Sequence, residues 1–265
     1  MRLQKTTMTR FILKSIGLFI LLANFLAAAQ TADTLPKKIY FKSQFTVTNN
    51  GFSFIPSNSL GKPASIINLA VAGKRLSFEP EFRFANDGNP WVFIFIWRYK
   101  FILKEKFKFA LGGHLPSIAF KPMPFETGGT THDYLVARRN LALELIPNYY
   151  LSKSTSVGLY YLFAHCYDFY STRNISYLSL RAATTQKLST QFKLNFNPQV
   201  YFLRSDHYDG FYTSASMTID HKKSGLSVGS IVNKAIHTQI PSKDFSWNVS
   251  LLYTFDRNYT LNSSK

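Results

Sequence analysis

The sequence predicts an all-β protein, a single antiparallel transmembrane β-barrel of about twelve strands, with ten as the alternative count. Apolar and polar residues alternate with period two from near residue 39 to residue 255, and no helix-period segment interrupts them beyond the N-terminal leader. The alternating segments are even in number, and the joins between them are by turns short and long. Successive side chains of a strand point to opposite faces, so the chain offers one oily face and one polar face along its length.

Residues 1–29 read as an export leader. Arg2, Lys5, Arg10 and Lys14 precede an apolar core from Ile16 to Phe25, and Ala27-Ala28-Ala29 supplies the small residues for cleavage before Gln30. The expected organisation is a signal peptide over 1–29, the barrel over 30–255 and a C-terminal tail over 256–265. Of the formal charge of +17, the leader accounts for four, leaving +13 on the mature chain. In an exported protein that balance meets anionic lipid, glycan or small anions rather than nucleic acid. Cys166 is the single cysteine, so no intrachain disulfide can form. A closed hydrogen-bonded sheet then has to hold the domain together.

In order, strands are expected near 39–48, 64–71, 75–85, 91–102, 107–113, 134–151, 156–167, 175–184, 188–203, 210–220, 225–233 and 245–255. Within the third, LSFEPEFRF puts Leu76, Phe78, Phe82 and Phe84 on one face and Glu79, Glu81 and Arg83 on the other. The fourth, WVFIFIWRYKF over 91–101, is too short for a membrane helix, which needs roughly 20 apolar residues. Its odd positions are wholly aromatic, from Trp91, Phe93, Phe95 and Trp97 to Phe101, while its even positions end in Arg98 and Lys100. In the seventh, Cys166 has lumen parity between His165 and Tyr167, and reads as a small wall residue. In the ninth, Phe192, Leu194, Phe196, Val200 and Phe202 oppose Gln191, Lys193, Asn195, Asn197 and Gln199. Pro80 and Pro198 each remove a ladder donor, so bulges or local edges are expected there. The twelfth, FSWNVSLLYTF, aligns Phe245, Trp247, Val249, Leu251, Tyr253 and Phe255.

Alternation alone also suits a soluble sandwich, whose apolar faces enclose a core. The joins separate the two. Short turns are expected at 72–74, 103–106, 152–155, 185–187 and 221–224, whereas 49–63 and 114–133 are the longest of the opposite set. Short turns on one rim and long loops on the other, with both termini on the short-turn side, are the pattern of bacterial outer-membrane barrels. Aromatics at strand ends, among them Trp91, Trp97, Tyr149, Tyr167, Phe169, Trp247 and Phe255, suit the interfacial girdles of such a wall.

On these residues the chain resembles small bacterial outer-membrane β-barrel proteins. The last strand is similar to their C-terminal signal, an alternating strand closed by an aromatic, here Phe255 with ten residues following it. The stretch NGFSFIPSNSLGKPA, 50–64, is similar to segments of Bacteroidetes outer-membrane proteins and implies no activity. The resemblance implies outer-membrane localisation, with outer-membrane lipid, lipopolysaccharide and the barrel-assembly machinery as partners. Trp91, Phe93, Phe95, Trp97, Trp247 and Phe255 would then face lipid.

The lumen face carries Lys42, Arg83, Arg98, Lys100, Lys108, Arg138, Arg181 and Lys193 against Glu79, Glu81, Glu144 and Asp220. Glu79 and Arg98 fall nearly opposite one another across the turn at 86–90, which predicts a cross-strand ion pair. These charges either brace a narrow lumen or line a pore of mild anion preference. The chemistry-bearing motifs are few. A His and a Ser two apart on a strand, as in outer-membrane lipid hydrolases, do not occur; His114 and Ser117 are in an expected loop with the wrong spacing. His132-Asp133 and Asp206-His207 keep a protease-like reading open at the external rim. No phosphate-binding, dinucleotide or metal-ligand pattern stands out, so no cofactor, metal or catalytic residue is expected. The function expected is a porin-like channel for small solutes. The alternative is a non-conducting barrel that binds a ligand or envelope partner through 49–63 and 114–133, and a hydrolase comes third.

Overall fold

The computed structural model describes residues 37–127, 129–168 and 172–261. The chain divides into the barrel unit, Lys38–Tyr259, and the terminal segments Met1–Lys37 and Thr260–Lys265. Twelve antiparallel strands run in chain order: β1 Lys37–Thr48, β2 Ala64–Ala72, β3 Leu76–Ala85, β4 Pro90–Leu103, β5 Phe107–Thr127, β6 Thr130–Tyr150, β7 Thr155–Cys166, β8 Asn174–Lys187, β9 Phe192–Ser205, β10 Tyr208–His221, β11 Leu226–Thr238 and β12 Phe245–Leu261. Each pairs with its sequence neighbours, and β1 meets β12 to close the sheet. Along that seam Asn49 N–H donates to the Val249 carbonyl at 3.2 Å, Gln44 Nε2 donates to Thr254 Oγ1 at 2.9 Å, and Phe41 packs on Phe255 at 6.3 Å. Closure leaves no free edge in the barrel wall.

The wall is apolar outside and polar inside. On β12, Trp247, Val249, Leu251 and Tyr253 are exposed while Asn248 and Ser250 are buried; on β8, Leu178 and Leu180 are exposed while Tyr177 and Ser179 are buried. In water each large apolar side chain left outside forgoes about 1.5–3 kcal/mol of burial, which lipid contact supplies instead. This inversion excludes the sandwich alternative, in which the apolar faces are the enclosed ones.

Four expectations need correction. The strand expected over 107–113 continues to Thr127, and the loop expected over 114–133 is the upper part of a β5–β6 hairpin paired from Ser117↔Asn140 to Thr127↔Thr130. Leu115 and Pro116 form a bulge between His114 and Ser117. The bulge shifts the inward phase from even to odd positions, and the segment carries three prolines, Pro116 in the bulge and Pro122 and Pro124 beyond it, which gave it a loop's appearance. β4 pairs with β5 only as far as Ala119, and β7 with β6 only as far as Asn140. Beyond them the hairpin is a two-stranded ribbon roughly 30 Å long at about 3.4 Å per residue.

Trp91, expected to face lipid, is 2% exposed and turned inward. Arg83 pairs with Val92 and Phe84 with Pro90, so Trp91 is the extra residue of a bulge. Such a residue escapes the alternation of its strand. At Pro80 and Pro198 the expected local edges are present: each keeps register while the ladder lapses on one side, toward β2 and β8 respectively. The turn expected at 185–187 falls at 188–191, because β8 runs on to Lys187. Finally, β12 extends past Phe255 to Leu261, into the expected tail. Phe169 lies outside the described residues.

Candidate functional site: a cationic lumen under an inward loop

Residues 49–63 leave β1 and fold into the lumen. The loop closes on itself through Gly51 N–H to the Lys62 carbonyl and Leu60 N–H to the Gly51 carbonyl, both 2.8 Å, and makes one turn of 3-10 helix at Pro56–Asn58. The Trp91 indole N–H donates to the Asn58 carbonyl at 2.7 Å, and Lys121 Nζ donates to the Ser57 carbonyl. Phe54 lies against Tyr177 at 6.3 Å and Tyr201 at 5.7 Å. These tyrosines belong to an inward row across four strands, Tyr160, Tyr177, Tyr201 and Tyr212, with centroids 5.8, 4.9 and 4.8 Å apart in turn. Aromatic wall and aromatic loop thus hold each other by packing.

Below the loop lies a cavity of about 590 Å³. Its charged and titratable lining comprises Arg83, Arg98, Arg181 and His114, together with Tyr160 and Tyr177 and, among the described residues, no carboxylate. The carboxylates stand behind the cations. Arg98 donates to Glu144 through Nε at 2.8 Å and Nη2 at 3.2 Å, and to Glu79 through Nη1. Glu144 is fully buried and also receives Tyr160 Oη–H, with His114 Nε2 at 3.0 Å. A buried carboxylate needs such saturation, since an unpaired one would cost several kcal/mol. Arg83 donates to Glu81, which also accepts from Asn68 Nδ2, and its guanidinium stands 5.0 Å from the Trp91 ring. Arg181 differs: it lies 5.2 Å from the Tyr160 ring and has no carboxylate partner among the described residues.

The expected lumen residues therefore divide. Arg83, Arg98 and Arg181 converge on the cavity, with Glu79, Glu81 and Glu144 behind them. Lys193 pairs with Asp220 at 3.2 Å, and Lys108 covers the Tyr150 ring at 4.2 Å near the short-turn rim. Lys42 and Lys100 keep inward register but lie outside the cavity lining. Arg138 borders a separate space of about 40 Å³ with Lys121, Ser57 and Asn58. Phe93, Phe95, Trp97, Trp247 and Phe255 hold outward parity, Trp97 stacked on Phe78 at 4.3 Å. The expected Glu79–Arg98 pair is present, whereas Glu144 and His114 were not read as its partners. His114 is on β5 rather than in a loop. The tyrosine row was legible only as parity: Tyr177 shares a face with Arg181, and Tyr201 with Gln199.

The protease-like pairs are spent or divided. His132 and Asp133 are consecutive on β6 and so point to opposite faces of the ribbon. The Asp206 carboxylate accepts the backbone N–H groups of Arg173 and Asn174. Cys166 is buried in the wall and contacts the Asp168 carbonyl at 3.8 Å.

No family model and no curated protein matches the sequence. Solved structures do match. The chain superposes on KdgM porin with a TM-score of 0.51 at 9% identity, over 81% of this chain and 99% of that one. KdgM porin in complex with disordered oligogalacturonate gives 0.50 at 9% identity, over 82% and 99%. The chain has the fold of a bacterial outer-membrane β-barrel. An outer membrane channel from Pseudomonas putida F1 is also similar, at TM-score 0.47 and 10% identity over 83% and 96%.

Proposed function

We propose that this barrel is a porin-like channel for small solutes in the bacterial outer membrane, with a mild preference for anions and no catalytic role. The observation that carries the reading is the cavity wall, which presents three guanidinium groups and an imidazole while its carboxylates stand behind them. Inward cations lower the barrier for anions, and a low-dielectric wall concentrates their field. KdgM porin, similar in fold, has been seen with an anionic oligosaccharide, which fits the same direction of charge. Export through a cleavable leader, contact with lipopolysaccharide and delivery by the barrel-assembly machinery belong to this reading.

The loop 49–63 favours a second reading, since it roofs the lumen and is tied to Trp91 and Lys121. A barrel so roofed could bind a ligand without conducting. Planar-bilayer recording of the refolded protein separates the two. Steady single-channel steps support the channel, and silence from correctly folded barrels rejects it.

A further inference from the structure

We infer that the lumen cavity binds a small monocarboxylate with an apolar body, its carboxylate held by Arg181 and Gln199. This rests on the reading above to the extent that solutes reach the lumen. Arg83 and Arg98 are each engaged by glutamate, but Arg181 has no hydrogen-bonded or ion-paired partner among the described residues and lies against the Tyr160 ring. Cation–π packing uses a face of the guanidinium and leaves its N–H fork for a planar, bidentate acceptor. Directly opposite Arg181 in register is Gln199. Its Oε1 accepts from Tyr177 Oη at 3.2 Å and from Ser179 Oγ at 2.9 Å, while its Nε2 has no partner among the described residues. Two donor groups of a kind that carboxylates accept therefore stand side by side, uncommitted, on the cavity wall.

A guanidinium in such a wall with no carboxylate in direct contact is costly, and a bound carboxylate offsets that cost. The apolar part of the remaining lining favours an apolar body for the rest of the ligand. Phe54, Val92, Ile94, Leu162 and Ile175 face the same space, and the volume of about 590 Å³ suits a small molecule. One carboxylate on an aliphatic or aromatic body matches both halves of the cavity.

The test is calorimetric titration of the barrel in lipid nanodiscs with sodium benzoate and, as the neutral shape control, benzyl alcohol. Benzoate should bind at a single saturable site. Arg181→Gln should weaken it about tenfold or more, and Arg181→Lys, which keeps the charge but loses the fork, by less. Absence of saturable benzoate binding, equal binding by Arg181→Gln, or equally tight benzyl alcohol would each overturn the proposal. Bilayer recording of the same preparation keeps the two readings apart. Conduction without benzoate binding defeats the site and spares the channel, whereas binding by a silent barrel spares the site and defeats the channel.

Discussion

Arg98 on β4 and Glu144 on β6 meet across the strand between them, and the residue standing between them in register is Gly112. A Cβ at Gly112 would lie 2.6 Å from Glu144 Oε2, 2.8 Å from Arg98 Cγ and 2.9 Å from the Trp97 carbonyl. The absence of that one atom lets an ion pair bridge three strands and brace the lower lumen.

Gly112→Ala should therefore destabilise the barrel by about 1–3 kcal/mol, the usual cost of forcing an atom into a packed site. Urea unfolding from lipid measures it. An unchanged midpoint would mean that Arg98 and Glu144 can part without loss.

A charge on the outer wall should be far worse than the same charge inside. Phe95→Lys should cost about 2–4 kcal/mol near the bilayer midplane, whereas Ile96→Lys, opposite Glu79 and His114 in register, should be tolerated. Equal losses in refolding experiments would contradict the inside-out assignment.

The strand count, the order of elements and the division between the two faces were all legible in the sequence, because a barrel wall repeats one rule at every residue. What was not legible lies where the rule is locally suspended. At Trp91 and at Leu115-Pro116 an extra residue changes the phase of alternation, and a parity reading then assigns the wrong face or ends the strand. Glu144 was correctly turned inward, but its bond to Arg98 spans two strand pairings and depends on Gly112 having no side chain. No periodicity encodes that relationship. Arg181 differs from Arg83 and Arg98 only in its neighbours across the sheet, which become visible once register is known.

Loosening the inward loop should widen the lumen. Trp91→Phe keeps an aromatic ring, though a smaller one, and removes the N–H donated to the Asn58 carbonyl, a bond worth about 0.5–1.5 kcal/mol. Single-channel recordings of this variant should show larger or longer open levels than the parent protein. Identical traces would show that residues 49–63 do not limit the current.

The outer ribbon should be released by acid. Arg139 donates its side chain and backbone N–H to Asp168, and these bonds hold that carboxyl below the ordinary carboxylate range. A carboxyl whose pKa is depressed by folding stabilises above its unfolded value, about 3.9, and loses that contribution as pH falls through the folded value. The amide-exchange protection factor at Arg139 should be flat from neutral pH down to about 4 and collapse below it. Asp168→Asn should reduce it at neutral pH and remove the acid step, and a flat profile in acid for the parent protein would contradict the pairing.

The central claim is that ions cross a water-filled lumen in the field of its inward cations, and the reversal potential in a KCl gradient tests it most directly. The parent protein should favour chloride. Arg181→Glu should move the reversal potential toward potassium, and more so near 0.01 M salt, where screening extends over about 30 Å, than near 0.1 M, where it falls to about 10 Å. A folded, conducting Arg181→Glu variant with an unchanged reversal potential would contradict the account.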